Sequence, residues 1–179
     1  MDFALHRDDA MMGVAGYARM NCAGKGLAGV LICGLIFLVT GCETVDKDRT
    51  QREAIMQAVL REVPGDYFVG RRMYKEDYKM WGWVRPPRQP WSKARLVMLN
   101  EQRVLAPDRA ANKVGSDNGF EYRLGGYFSG ETVYEPASDG FYPEFVLTGY
   151  ELLSTNPPNI YRQERQNDPK VRLLSPPIY

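Results

Sequence analysis

The sequence predicts a mainly β domain, a small antiparallel barrel or sandwich, with one α-helix before it and an extended tail after it. Three observations predict this. Across residues 66–154 the apolar pattern has a period near two and is rich in aromatic and β-branched residues. Clusters of Gly, Pro, Ser, Asn and Asp divide that stretch into short runs. Ahead of it, residues 51–63 carry apolar side chains at helical spacing.

The helix is predicted from its ends and its stripe. Thr50 and Glu53 fit a capping box, in which the threonine side chain accepts an early backbone N–H and the glutamate reaches back. Ile55, Met56, Val59, Leu60 and Val63 form one apolar stripe, and Pro64 and Gly65 stop it. Residues 42–50 before it read as a polar tether.

Strands are expected near Tyr67–Tyr74, Met80–Arg85, Ala94–Asn100, Phe120–Tyr127, Glu131–Glu135 and Glu144–Leu153. The separators between them have turn chemistry, with Ser129-Gly130 the best hairpin candidate. Gly70, Gly82, Gly125, Gly126 and Gly149 suit the bulges that bend a small barrel. A long early meander, a strand-rich middle with a hairpin and a late strand are together similar to an OB-type barrel. An SH3-like barrel or an open sandwich fits nearly as well. Residues 155–179 are polar and proline-bearing, a mobile tail or a strap, and their apolar end is expected to dock on the domain.

The remaining segment sets where the domain works. Lys25 is followed by an uncharged apolar run from Gly26 to Cys42, the arrangement of a secretory signal peptide. The run is at the lower limit for a spanning helix, so an uncleaved anchor is the alternative. Arg19 and Lys25 precede it while Glu43, Asp46 and Asp48 follow, and both readings therefore place the C-terminal part outside. Met20 is a better start for a signal than Met1, and residues 1–19 read as a mis-assigned extension of the 1–41 signal. Val39-Thr40-Gly41-Cys42 resembles the bacterial lipobox. That resemblance implies cleavage between Gly41 and Cys42, fatty acylation of Cys42 with chains of the palmitate type, and a membrane anchor. Glu43 in place of aspartate implies the outer membrane, facing the periplasm.

Composition then narrows the chemistry. The chain has 23 Lys and Arg against 22 Asp and Glu, a balance that selects no polyanionic partner and no nucleic acid. Its one histidine, His6, and two of its three cysteines, Cys22 and Cys33, lie in the signal. A chain without them has no Ser-His-Asp triad, no Cys-His pair, no imidazole metal site and no disulfide. The G-x-G-x-x-G of Gly24, Gly26 and Gly29 sits inside the signal with no strand before it, so a nucleotide reading fails. No cofactor or metal site is expected: Asp117, Asn118 and Asp139 lack EF-hand spacing, and Ser116-Asp117-Asn118 reads as a turn.

Candidate ligand-binding residues concentrate in 71–91, which holds all three tryptophans among cations: Arg71, Arg72, Tyr74, Lys79, Trp81, Trp83, Arg85 and Trp91. In a regular strand Trp81 and Trp83 share a face, a platform for stacking sugars; the competing reading is that the rings are core. Eight bases from Arg71 to Arg95 and seven acids from Asp117 to Glu151 are expected to neutralise each other across paired strands. Glu131, Glu135, Asp139 and Glu144 flank loops, but nothing in their spacing selects the carboxylate pair of a glycosidase. The leading expectation is a non-enzymatic envelope lipoprotein that binds or scaffolds another envelope component. The alternatives are a glycan- or peptidoglycan-binding module using 71–91 and, below it, a His-free glycosidase.

Overall fold

The computed structural model describes residues 42–179. The expected signal, including Gly41, lies outside the described residues, and Cys42 is the first residue of a helix. Helix α1 runs Cys42–Arg61. It passes through the predicted tether because residues 42–61 contain neither Gly nor Pro, and Arg49 pairs with Glu53 one turn on at 3.0 Å. Thr50 is thus interior to the helix and the predicted capping box is not its start. Only Ile55 and Val59 of the stripe are buried; Met56, Leu60 and Val63 stay exposed.

Five strands follow: β1 Phe68–Arg72, β2 Gly82–Arg85, β3 Arg95–Asn100, β4 Glu121–Glu135 and β5 Gly140–Ser154, with a short helix α2, Pro107–Ala110, between β3 and β4. They close into a barrel in the order β1-β2-β3-β5-β4. The sandwich alternative is thereby excluded, and the order is that of an OB-type Greek-key barrel. Four contacts are antiparallel and β3 runs parallel to β5, with Met98 opposite Glu144 and Asn100 opposite Val146. The wholly antiparallel expectation fails for a topological reason: a ring with an odd number of strands cannot alternate direction all the way round.

Two predicted strands fuse into β4. Ser129-Gly130 is not a hairpin but a bulge within it, marked by a register shift between Phe128 and Thr132 and by φ of 91° at Gly130. The hairpin lies at Pro136–Asp139 instead. Glu135 stabilises that turn by accepting the N–H groups of Ala137 (3.2 Å) and Ser138 (2.7 Å) and the Ser138 hydroxyl (2.7 Å).

The strands carry two cores. The barrel interior holds Trp81, Val84, Val97, Leu124, Phe145 and Leu147, with Phe68, Phe128 and Phe145 in mutual edge-to-face contact at 5.1 to 5.6 Å. The outer core covers the other side of β1 and β2. Ile55 and Val59 of α1, Trp91 of the β2–β3 connection, and Ile160 and Tyr161 of the tail pack there on Val69 and Trp83. The tail is a docked strap: the Ser92 N–H donates to the Tyr179 carbonyl at 2.6 Å, and the Ile178 N–H to the Ile160 carbonyl at 3.2 Å.

Candidate functional site

The β1–β2 connection, residues 73–81, forms one wall of a cleft of about 440 Å³. Tyr74, Tyr78, Lys79 and Trp81 contribute from this loop, while Met98, Glu101 and Arg109 contribute from the end of β3 and the segment after it. The loop is held from behind. Lys75, 2% exposed, donates its ammonium to the carbonyls of Gln166 (2.6 Å) and Asp168 (2.8 Å) in the strap, and the Glu76 N–H donates to the Pro169 carbonyl at 3.1 Å. Burial lowers the Lys75 pKa, against the attraction of Asp168.

Arg72 forms the base of the cleft. Its guanidinium donates to Asp108 (3.0 Å), Asp117 (3.1 Å) and the carbonyls of Met80 (3.1 Å) and Trp81 (2.5 Å), all buried. Burial by itself would raise the Asp108 carboxyl; the N–H groups of Gly115 and Arg109 together with Arg72 carry it below its usual value. Asp117 goes the other way, because burial outweighs Arg72 and the neighbouring Asp108 repels its charge. Burial and the same two carboxylates hold the Tyr122 phenol protonated.

The eight residues of the Trp- and Arg-rich segment therefore divide. Arg72, Tyr74, Lys79 and Trp81 meet at the cleft. Arg71, Arg85 and Trp91 lie beneath α1, where the two guanidinium carbons sit 5.0 and 4.3 Å from the Trp91 ring centre. Trp83 belongs to the outer core. The tryptophan platform is overturned: Trp81, Trp83 and Trp91 are only 3, 6 and 2% exposed.

The shared face fails for a local reason. The Trp81 N–H donates to the Val97 carbonyl while Gly82 pairs with Val97, so two residues oppose one and the alternation breaks. Trp81 turns into the barrel and Trp83 turns out of it. Only glycine fits at 82, where a Cβ would meet the Arg71 carbonyl oxygen at 2.2 Å.

The expected neutralisation between the two stretches is present at two of the eight bases, with Arg71 opposite Glu121 and ion-paired to it and Arg72 paired with Asp117 at 3.1 Å, whereas Arg85 pairs with Glu62 of α1. The glycosidase candidates do not converge. Glu135 caps its turn, Asp139 accepts the Tyr134 hydroxyl at 2.8 Å, Glu144 accepts from Asn100 at 2.9 Å, and none of these lines the cleft. Sequence reasoning missed Tyr78, Glu101, Asp108 and Arg109, which the chain fold alone brings together, and Glu62, which pairs with the buried Arg85 from 23 residues away. Compared with family models, with curated proteins and with solved structures, the chain matches none of them.

Proposed function

We propose that this chain is an exported lipoprotein, acylated at Cys42 and held on the periplasmic face of the outer membrane, whose barrel domain binds another envelope component without catalysing a reaction. The location rests on the lipobox-like Val39-Thr40-Gly41-Cys42 behind Lys25 and its apolar run. Several acyl chains on one residue hold a protein firmly where one chain would not.

The observation that carries the binding role is the β4–β5 arm. Its outer half, Thr132–Glu135 with Gly140–Pro143, pairs only with itself. Tyr134 and Phe141 are exposed there by 48 and 72% with their rings 5.2 Å apart, and Tyr127, opposite Val146 nearer the barrel, is 47% exposed. From residue 124 to residue 161 the chain has no Lys or Arg, while Glu131 and Asp139 are exposed on the arm. An acidic surface bearing aromatic rings complements a basic protein partner, to which it offers both ion pairs and cation–π contacts.

Two experiments test the reading. Cys42→Ser should abolish membrane retention and globomycin-sensitive processing, and unchanged fractionation would sink the lipoprotein assignment. A photo-crosslinking residue at position 141 should trap one envelope protein in cells, with the adduct lost when Tyr134 is changed to Ser. No adduct, or one that survives that change, would remove the arm from the proposal.

A further inference from the structure

We propose that the cleft beside residues 73–81 is a binding site for an uncharged saccharide, an inference that rests on the reading of the domain as a binding module. The cleft volume of about 440 Å³ falls within the range of small-ligand sites. Its charges cancel: Arg72, Lys79 and Arg109 are matched by Glu76, Glu101 and Asp108. An anionic ligand would meet the three carboxylates and a cationic one the three bases, so a neutral ligand is selected.

Hydrogen-bonding capacity is left over in this same cleft. Among the described residues, the hydroxyls of Tyr74 and Tyr78, the Lys79 ammonium and the Glu76 carboxylate enter no side-chain hydrogen bond or ion pair. Elsewhere in the domain the arginines Arg71, Arg85, Arg123 and Arg172 are each spent on a carboxylate. A cleft offering unspent donors and unspent acceptors together suits hydroxyl groups, each of which both donates and accepts.

The other half of the fit is apolar. Met80, Met98, Leu99 and the Tyr74 and Tyr78 rings supply surface for the C–H faces of a sugar ring. Tyr74 is held in place before any ligand arrives, with the Arg72 guanidinium 5.6 Å from its ring centre and Gly115 so close that a Cβ would meet the ring at 2.5 Å. A peptide fits less well, because peptides recognised in extended form add to a free strand edge, and the two strands that reach the cleft, β1 and β3, each have a neighbouring strand on either side in the closed ring.

The test is a titration of the full chain, purified in detergent, followed through the Trp81 indole resonance by NMR. Chitotriose and cellotriose are the neutral probes, a chitosan trimer the cationic one, trigalacturonate the anionic one and trialanine the peptide. The proposal expects saturable shifts at Trp81 with at least one neutral sugar, weakened about tenfold or more by Lys79→Ala, an exposed position whose loss leaves the fold intact. Tyr78→Ser, on the same wall, should weaken it likewise. No shift with either neutral sugar, tighter binding of a charged probe or of trialanine, or shifts insensitive to both variants would overturn it. Fractionation of Cys42→Ser reads out separately, so failure of the anchor and failure of the cleft are told apart.

Discussion

The two sides of the β1–β2 sheet are built by different physics. Toward the barrel axis, Val84, Val97, Leu124, Phe145 and Leu147 make an apolar core closed by rings packed edge to face, and ionised groups enter only at its end, where Arg72 meets Asp108 and Asp117. On the opposite side Arg71 and Arg85, 4 and 1% exposed, flank the Trp91 ring and are neutralised by Glu121 and Glu62. The inside is filled by the strands themselves. The outside is buried only because α1 and the strap lie over it. Whether a run of tryptophans and arginines is a ligand platform or a core is decided by what covers it, and that cover comes from both ends of the domain.

The comparison breaks most visibly at Trp91. Trp91→Ala should destabilise the protein by about 3 to 5 kcal/mol in urea unfolding, since it leaves a cavity and strips two buried cations of their shared surface; a loss near that of an exposed residue would mean that the outer layer is not a core. Next comes Glu62→Ala, which leaves Arg85 buried without its carboxylate at a cost of about 3 kcal/mol. Glu62→Leu combined with Arg85→Met should recover most of that, and no recovery would show that the pair does more than neutralise itself.

Acid unfolding sharpens the contrast at the cleft. Asp108 has its carboxyl below the usual value, so its contribution is present above its unfolded pKa and is lost as pH falls through the folded one. Asp117, pushed up by burial, has the opposite sign: its contribution is lost as pH rises through the folded value. Asp108→Asn should therefore cost about 1 to 3 kcal/mol at neutral pH and flatten the loss of stability below about pH 4. An unchanged acid limb would contradict the network. The smallest effect belongs to the arm, where Phe141→Ser should stay within about 0.5 kcal/mol because the ring is already in solvent.

Much of the fold was legible because it is local. Period-two runs and turn clusters located every strand, and a glycine at 82 marked a bulge because no other residue fits against the Arg71 carbonyl. The hairpin was misplaced because a positive-φ glycine serves a bulge as well as a turn, and only the long pairing of β4 with β5 distinguishes them. The helical stripe announced burial of Ile55 and Val59 but not the surface that buries them. Half of the cleft was legible, through Tyr74, Lys79 and Trp81 in one loop. Glu101, Asp108 and Arg109 join it through the β3–β4 connection, a meeting that depends on closure of the barrel.

The central claim, that the Trp- and Arg-rich segment is internal framework and leaves only its 73–81 loop open to a ligand, is tested most directly by iodide quenching of tryptophan emission in the native protein. All three tryptophans are covered, so the native protein should show blue-shifted emission and almost no quenching, both reverting on unfolding in urea. Emission at the unfolded wavelength, with ready quenching of even one tryptophan, would restore the exposed platform and contradict the account.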